Sequence, residues 1–425
     1  MSNILDELKW RGFIEQITAE EELKEILSKE KIVCYCGFDP SASSLHIGNF
    51  LLIMLLTHFQ RYGHQPIALV GGATGMIGDP SGKSKERNLL GPEQINENTD
   101  AIKKQLSRFI DFEGKENNAQ LINNFDWLGK FSFIDFLRDA GKYFRIGEML
   151  AKESVKNRFT REEGISYTEF SYMLLQSYDF LHLFDNYNCR LQLGGNDQWG
   201  NITSGIELVR KLKSKSVFGL TAPLITGSDG QKLGKSVDGA VWLDKDKMSP
   251  FDFYQFWIRM EDSQVIKLLK LFTFLSKEEI EVLGKSLNEQ PELREAQKAL
   301  AYEVTKIVHG EKEANNVIKA SKVLYGEEIS GFSDEMLKSI FAGVPSVILK
   351  HSRLQDGISL IDLLAETSIA PSKGAARKLL QGGGIYINNI RIDDPAKKVT
   401  TENLASESLM VIRSGKKNYH LIHFE

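Results

Sequence analysis

The feature that most constrains the fold is an alternation of short apolar runs with longer helical stretches. "KIVCYCGFDP" reads as a buried strand closed by Pro40, and "SSLHIGNFLLIMLLTHFQRYG" follows as a helix stopped at Gly63. "QPIALVGG" is the next strand, "PEQINENTDAIKKQLSRFIDF" an amphipathic helix and "AQLINN" a strand. "FSFIDFLRDAGKYFRIGEMLAKESV" and "TEFSYMLLQSYDFLHLFD" are helical. "CRLQLGG" is a strand, "NITSGIELVRKL" a helix and "LTAPLIT" a further strand. This order predicts an α/β fold: a doubly wound parallel-sheet, Rossmann-like domain over residues 1–240, carrying a helical insertion. Residues 241–325 have helical periodicity, 326–354 ("GEEISGFSDEMLKSIFAGVPS" within it) form a linker, and 355–425 form a small α+β domain.

A chain of 425 residues, 42% apolar and 26% charged, is long enough for such a set of domains and their cores. The net charge of −4 argues against wholesale electrostatic binding to nucleic acid, although basic residues outnumber acidic ones, ten to eight, from His351 onward. Cys34, Cys36 and Cys189 offer neither a C-x-x-C pair nor a disulfide framework. The opening "MSNILDELKWRGFIEQITAEEEL" reads as a charged amphipathic helix rather than a signal peptide. The longest apolar run, "FLLIMLL", is too short to span a bilayer. These features place the protein in the cytoplasm, with no membrane partner.

Two segments nearly match a phosphate-binding loop, G-x-x-x-x-G-K-[ST]. "GDPSGKS" has Ile77, and "DGQKLGKS" has Asp229, where the first glycine should stand. Anion-binding chemistry is present elsewhere. Tyr35, Gly37 and Asp39 share one face of the first strand and lead into "PSASSLHIGN", a helix start whose free N–H groups favour an anion. His46 could donate to a phosphate there, and Gly48 would let a purine approach the backbone. On these letters alone a capping turn with an incidental histidine is the simpler reading. Tyr172, Gln176 and Asp179 form a polar stripe at i, i+4, i+7 on a helix without Lys, Arg or Glu between Phe170 and Asp185, so a pocket and a solvent face weigh equally. Lys232 and Lys235, in a glycine-bracketed loop, could stabilise charge on a leaving pyrophosphate; alone they would be a solvated basic turn.

Together these residues resemble a known family. "HIGN" at His46–Asn49 resembles the HIGH signature of class I aminoacyl-tRNA synthetases, and "KLGKS" at Lys232–Ser236 resembles their KMSKS signature. "YCGFDPSASSLHIGN", "GDPSGK", "YTEFSYMLLQSYDF" and "LQLGGNDQWGN" are similar to the bacterial tyrosyl-tRNA synthetases through nearly the whole chain. The family binds ATP without a P-loop. The resemblance implies that Tyr35 and Asp179 bond the substrate phenol, that Asp79, Tyr172 and Gln176 hold its α-ammonium group, and that Gln192 lies close by. It places Cys36, Gly37, Asp39, His46, Gly48, Asp197 and Gln198 around ATP and the adenylate. Lys83, Arg87, Lys232 and Lys235 would steady the pyrophosphate. Asn49 stands where the signature has a second histidine, so its share in the catalytic contacts is left open.

The resemblance also implies ATP as a substrate with Mg2+, no protein-bound prosthetic group or dedicated metal site, L-tyrosine and its tRNA as partners, and a homodimer joined through the insertion near Phe131–Phe159. The helical region 241–325 would read the anticodon. In the final unit, "SLIDLLAE" opens with a capping box at Ser359-x-x-Asp362, and "PSKGAARKLLQGG" puts Lys373, Arg377 and Gln381 on one face. "GIYINNIRI" is a hairpin turned at Asn388-Asn389. The arrangement resembles the RNA-binding domain of ribosomal small-subunit protein four. A tryptophanyl enzyme or a non-catalytic RNA-binding protein on the same scaffold are the rivals; the Tyr35/Asp179 pair speaks against the first and the intact His46, Lys232 and Lys235 against the second.

Overall fold

The computed structural model describes residues 3–81, 89–114, 116–159, 164–227, 230, 233–236, 239–323, 326–415 and 418–425. The chain forms two compact units, Met1–Met248 with Ile258–Leu300, and Ser249–Trp257 with Ala301–Glu425.

The first unit is built on a sheet of β1 (Gln16–Ile17), β2 (Val33–Phe38), β3 (Gln65–Val70), β4 (Gln120–Asn123), β5 (Cys189–Gly195) and β6 (Phe218–Ala222) in the order β1-β6-β5-β2-β3-β4. β2 to β6 are mutually parallel and β1 runs antiparallel on the edge. The doubly wound expectation is met, and the winding reverses between β2 and β5, where the strand ends leave a crevice. Helix Ile47–Arg61 leaves β2 with Ile47, Phe50, Leu51, Ile53, Met54, Leu55, Leu56 and Phe59 all buried, so it presents apolar side chains on most of its circumference. Helix Tyr167–Tyr187 packs along helix Trp199–Lys213, which enters after β5.

Two local expectations change. The N-terminal helix stops at Arg11 because Gly12, at φ 84°, turns its N–H back onto the carbonyls of Leu8 and Lys9; β1 and a separate helix, Glu20–Lys29, follow. The strand read through "LTAPLIT" ends at Ala222, since Pro223 brings no N–H to a ladder.

Within the signature loop two short strands pair, β7 (Lys235–Ser236) with β8 (Gly239–Ala240).

The second unit ends in a five-stranded sheet. Its strands are β9 (Ser346–Leu349), β11 (Ile385–Ile387), β12 (Ile390–Ile392), β14 (Leu409–Ser414) and β15 (Asn418–Phe424), ordered β12-β11-β14-β15-β9; β10 (Ile358–Ser359) pairs separately with β13 (Lys398–Val399). One face of the sheet, with Ile385, Ile387, Met410, Ile412 and Ile422, packs against Leu360, Leu363 and Leu364 of helix Leu360–Glu366 and Ala376 and Leu380 of helix Lys373–Gln381. The hairpin turns at Asn388 and Asn389, whose φ values of 49° and 62° suit the right-handed strand twist. Asn389 Nδ2 also donates to Val323 O and Glu327 O at 2.9 and 2.8 Å, seating the turn on the end of helix Glu311–Val323.

The segment read as a linker carries structure: Asp334–Ile340 is helical with Ser333 as its cap, and β9 pairs in parallel with β15, so the sheet reaches back before residue 355. A short strand that exposes Ser346 and Ile348 has too little apolar alternation to declare itself. The capping box at Ser359–Asp362 is also not made. Ser359 is held in β10 against Lys398 and its side chain caps nothing, while Asp362 pairs with Lys373 at 2.7 Å.

Candidate active site

The ends of β2 and β5 open into a cleft of about 400 Å³. Tyr35, Asp79, Tyr172, Gln176, Asp179 and Gln192 line its inner end, and Cys36, Gly37, Asp39, His46, Gly48, Asn49, Asp197 and Gln198 its remainder. Lys83, Arg87 and Lys232 lie outside the described residues. Of Lys235 the backbone is described, as the first residue of β7.

The inner end is buried and polar. Tyr35 and Gln192 stand opposite each other on β2 and β5, both buried. Among the described residues the Tyr35 hydroxyl and Gln192 Oε1 have no hydrogen-bond partner. Such orphans are costly unless a ligand answers them. Asp179 lies buried on helix Tyr167–Tyr187, where Oδ1 accepts from Trp127 Nε1 at 2.8 Å and Oδ2 from Asn124 Nδ2 at 3.0 Å. Burial outweighs these two donors and pushes its carboxyl up to about 8. The Tyr35 phenol is pushed well above its ordinary range, first by burial and then by the Asp179 charge.

A second carboxyl stands across the same space. Asp79 accepts from Ser81 N at 2.9 Å and from Gln198 Nε2 at 2.6 Å, and burial raises it to about 6. Asn201 ties this wall together, donating to Gln176 Oε1 at 2.9 Å and to Gln198 Oε1 at 3.3 Å. Tyr172 and Asp39 meet directly: the Tyr172 hydroxyl donates to Asp39 Oδ2, and Thr74 Oγ1 to Asp39 Oδ1, each at 2.8 Å. A Cβ on Gly71 would fall 2.0 Å from Asp39 Oδ1, so this packing requires a glycine there.

The outer end combines the start of helix Ile47–Arg61 with the side chains of His46, Asn49, Asp39, Asp197 and Gln198. His46 is the N-cap of helix Ile47–Arg61. Its Nδ1 accepts from Gly48 N and Asn49 N at 3.1 and 3.3 Å, while Asn49 Oδ1 accepts from His46 N at 3.1 Å. This reciprocal cap gives Asn49 a structural reason in place of a histidine. With Nδ1 accepting, Nε2 is the nitrogen that carries the proton. A Cβ on Gly48 would meet His46 Cε1 at 2.9 Å, so this glycine makes room first for the imidazole itself. Cys36 is buried and its thiol is pushed up to about 12, which keeps it neutral and unsuited to nucleophilic attack. Gly234 of the second signature packs on Ile47, its missing Cβ only 2.6 Å from Ile47 Cγ1, and Leu233 lines the cleft. The two signatures therefore converge on one helix start.

The sequence reading had not singled out Asn124, Trp127, Thr74 or Asn201. Asn124 follows directly on β4, at the strand end where ligand-facing residues of open α/β sheets collect, and that position was the available signal.

Comparison with known proteins identifies the family. The family described as "tRNA synthetases class I (W and Y)" matches residues 27–326, and "Tyrosine--tRNA ligase SYY-like C-terminal domain" matches 336–422. Tyrosine--tRNA ligase 1 of Bacillus licheniformis is 52% identical over 426 residues, covering 100% of each chain. Tyrosine--tRNA ligase of Bacillus caldotenax is 51% identical over 99% of this chain and 100% of its own. Among solved structures, a C-terminally truncated mitochondrial tyrosyl-tRNA synthetase of Aspergillus nidulans superposes with a TM-score of 0.69 at 33% identity, over 76% of this chain and 94% of that one. On full-length identity and on matches to both its catalytic and its C-terminal parts, the chain belongs to the tyrosine–tRNA ligase family of class I aminoacyl-tRNA synthetases.

Proposed function

We propose a residue-level account of how this chain activates L-tyrosine with ATP and passes it to tRNA. The observation that carries it is the orphaned Tyr35 hydroxyl beside buried Asp179 at the closed end of the cleft. A phenol placed there donates to Asp179 and accepts from Tyr35, whereas phenylalanine would leave both unanswered. Asp79 and Gln176, with Tyr172 beside them, hold the α-ammonium group, and Gln192 lies against the bound amino acid. Cys36, Gly37, Asp39, Gly48, Asp197 and Gln198 surround the nucleotide.

In the first step a tyrosine carboxylate oxygen attacks the α-phosphorus, forming the acyl–phosphate bond as the bond to pyrophosphate breaks. The protein positions the two and meets the developing charge. His46 donates from Nε2 to the phosphates, Asn49 holds it in place, and Lys83, Arg87, Lys232 and Lys235 neutralise the pyrophosphate. In the second step the tRNA 3′ hydroxyl attacks the acyl carbon and AMP leaves. Mg2+ is assigned to the ATP phosphates, whose oxygens are the hard ligands this ion takes.

The wider readings follow. The chain divides functionally into catalytic 1–240, anticodon-reading 241–325, connecting 326–354 and RNA-binding 355–425. A homodimer through the insertion is supported by Phe133, Ile134, Ile146 and Phe159, each at least 60% exposed. Among the described residues no helix is long and apolar enough to cross a membrane. Three free, buried cysteines support work in the cytoplasm. Pyrophosphate exchange into ATP, run with each of the twenty amino acids, tests the central reading: tyrosine alone should support it, and exchange driven by tryptophan or by none would overturn it. Sedimentation as a monomer at micromolar concentration would remove the dimer.

A further inference from the structure

The segment after the second signature grips His46 from both sides. Ile47 N donates to Val241 O at 3.1 Å, and Leu243 N donates to Leu45 O at 2.9 Å. Between them His46 and Trp242 form an isolated antiparallel bridge. The same segment holds the signature hairpin: Val241 N donates to Gly234 O at 3.0 Å, directly beyond the β7–β8 pair. Trp242 also faces the cleft, its indole centroid 6.3 Å from that of the His46 imidazole and tilted by 52°. Lys247 Nζ stands 4.7 Å from the indole centroid, a cation–π distance that restrains the ring's tilt.

We propose that Trp242 is a positioning residue that ties the His46 imidazole to Gly234 and the β7–β8 pair, giving the two signatures one common frame. The imidazole is fixed at Nδ1 by the helix N–H groups, and the indole supplies a wall against which the ring stands. The backbone bonds keep the segments adjacent and the helix N–H groups anchor Nδ1, while the indole limits the tilt of the ring about that anchor. Small misplacements of a transition-state donor are expensive in rate, while ground-state binding of the other substrate is indifferent to them. The inference rests on the proposed role of His46 at the ATP phosphates.

The test uses full-length protein and four forms: wild type, Trp242→Ala, Trp242→Phe and His46→Ala, with the double variant closing a cycle. Tyrosine-dependent pyrophosphate exchange gives kcat and KM for ATP; equilibrium dialysis gives tyrosine affinity. Trp242→Ala should lower kcat on the order of 10²-fold with tyrosine affinity unchanged, and Trp242→Phe should restore most of the rate. In the double variant the losses should not add, because each single change removes the same contact to the transition state. A wild-type kcat in Trp242→Ala, a matching fall in tyrosine affinity, or full additivity with His46→Ala would each overturn the proposal. Wild-type exchange by His46→Ala would instead remove the role of His46, and the coupling with it.

Discussion

The two ends of the cleft are made of different materials. The inner end is lined by buried side chains: Tyr35, Asp179 and Gln192 are each at most 2% exposed, Asn124 and Trp127 hold the Asp179 oxygens, and the Tyr35 hydroxyl and Gln192 Oε1 have no partner among the described residues. At the outer end Gly37 and Asp197 are exposed and His46 is half-buried. A rigid, desolvated constellation discriminates between side chains that differ by one hydroxyl. On the proposed reading, a more exposed rim carrying the His46 imidazole accommodates a charged polyphosphate whose reaction changes its shape. Changes at the outer end should therefore cost rate, and changes at the inner end should cost selectivity.

The largest effect is expected from the lysines proposed to meet the pyrophosphate. Lys232→Ala and Lys235→Ala should each slow adenylate formation by ~10² to 10³-fold, as for other preorganised transition-state donors, while tyrosine affinity stays put. Single-turnover rates beside dialysis measure both, and a parallel loss of tyrosine affinity would erase the distinction between the ends. Next comes Asp179→Asn, which should cut the preference for tyrosine over phenylalanine roughly 10-fold, the worth of one buried hydrogen bond. An unchanged ratio in competitive exchange would place the phenol elsewhere.

The titration of the inner end sharpens the comparison. Burial raises Asp79 to about 6 and Asp179 to about 8. A carboxyl raised by folding favours the folded state below its ordinary range near pH 4, and that contribution is lost as pH climbs through the raised value. Without tyrosine, thermal stability should thus decline as pH rises from about 4 through 8. Tyrosine acts oppositely. Its ammonium favours ionised Asp79, so affinity should increase by up to ~10-fold per pH unit below 6, with a proton released on binding. Calorimetry in buffers of different ionisation enthalpy reads that proton; none released near pH 6 would move the ammonium away from Asp79. The smallest change is Trp127→Phe, which removes one donor from Asp179 and should weaken tyrosine about 5-fold, near 1 kcal/mol, without altering the ATP dependence.

Local chemistry was legible where a residue's role is written in its immediate neighbours. The period-2 face of Tyr35, the stripe of Tyr172, Gln176 and Asp179, and the Asn388-Asn389 turn all emerge from spacing alone. What escaped depends on tertiary closure: Asn124 and Trp127 reach Asp179 across 55 and 52 positions of sequence, and no pattern near either residue names its partner. Ser359 misled for the converse reason, because a strand pairing with Lys398 claimed the backbone that a capping serine needs. β9 was invisible as an exposed edge whose partner lies at the far end of the domain.

That last pairing sets an order of assembly. Ile387 and Ile390 close their hairpin across two residues, whereas Val347 must wait for Ile422 and Leu349 for Phe424. Loop-closure entropy makes the hairpin the early event of refolding and the parallel edge the late one. Until β9 docks, the outer edge of β15 carries a row of unsatisfied N–H and C=O groups beside Leu421 and Ile422. An open edge of that kind pairs readily with the same edge of another molecule. The short strand from Ser346 to Leu349 is thus the guard of this sheet against self-association during folding, and weakening it would be felt as lost yield before lost activity.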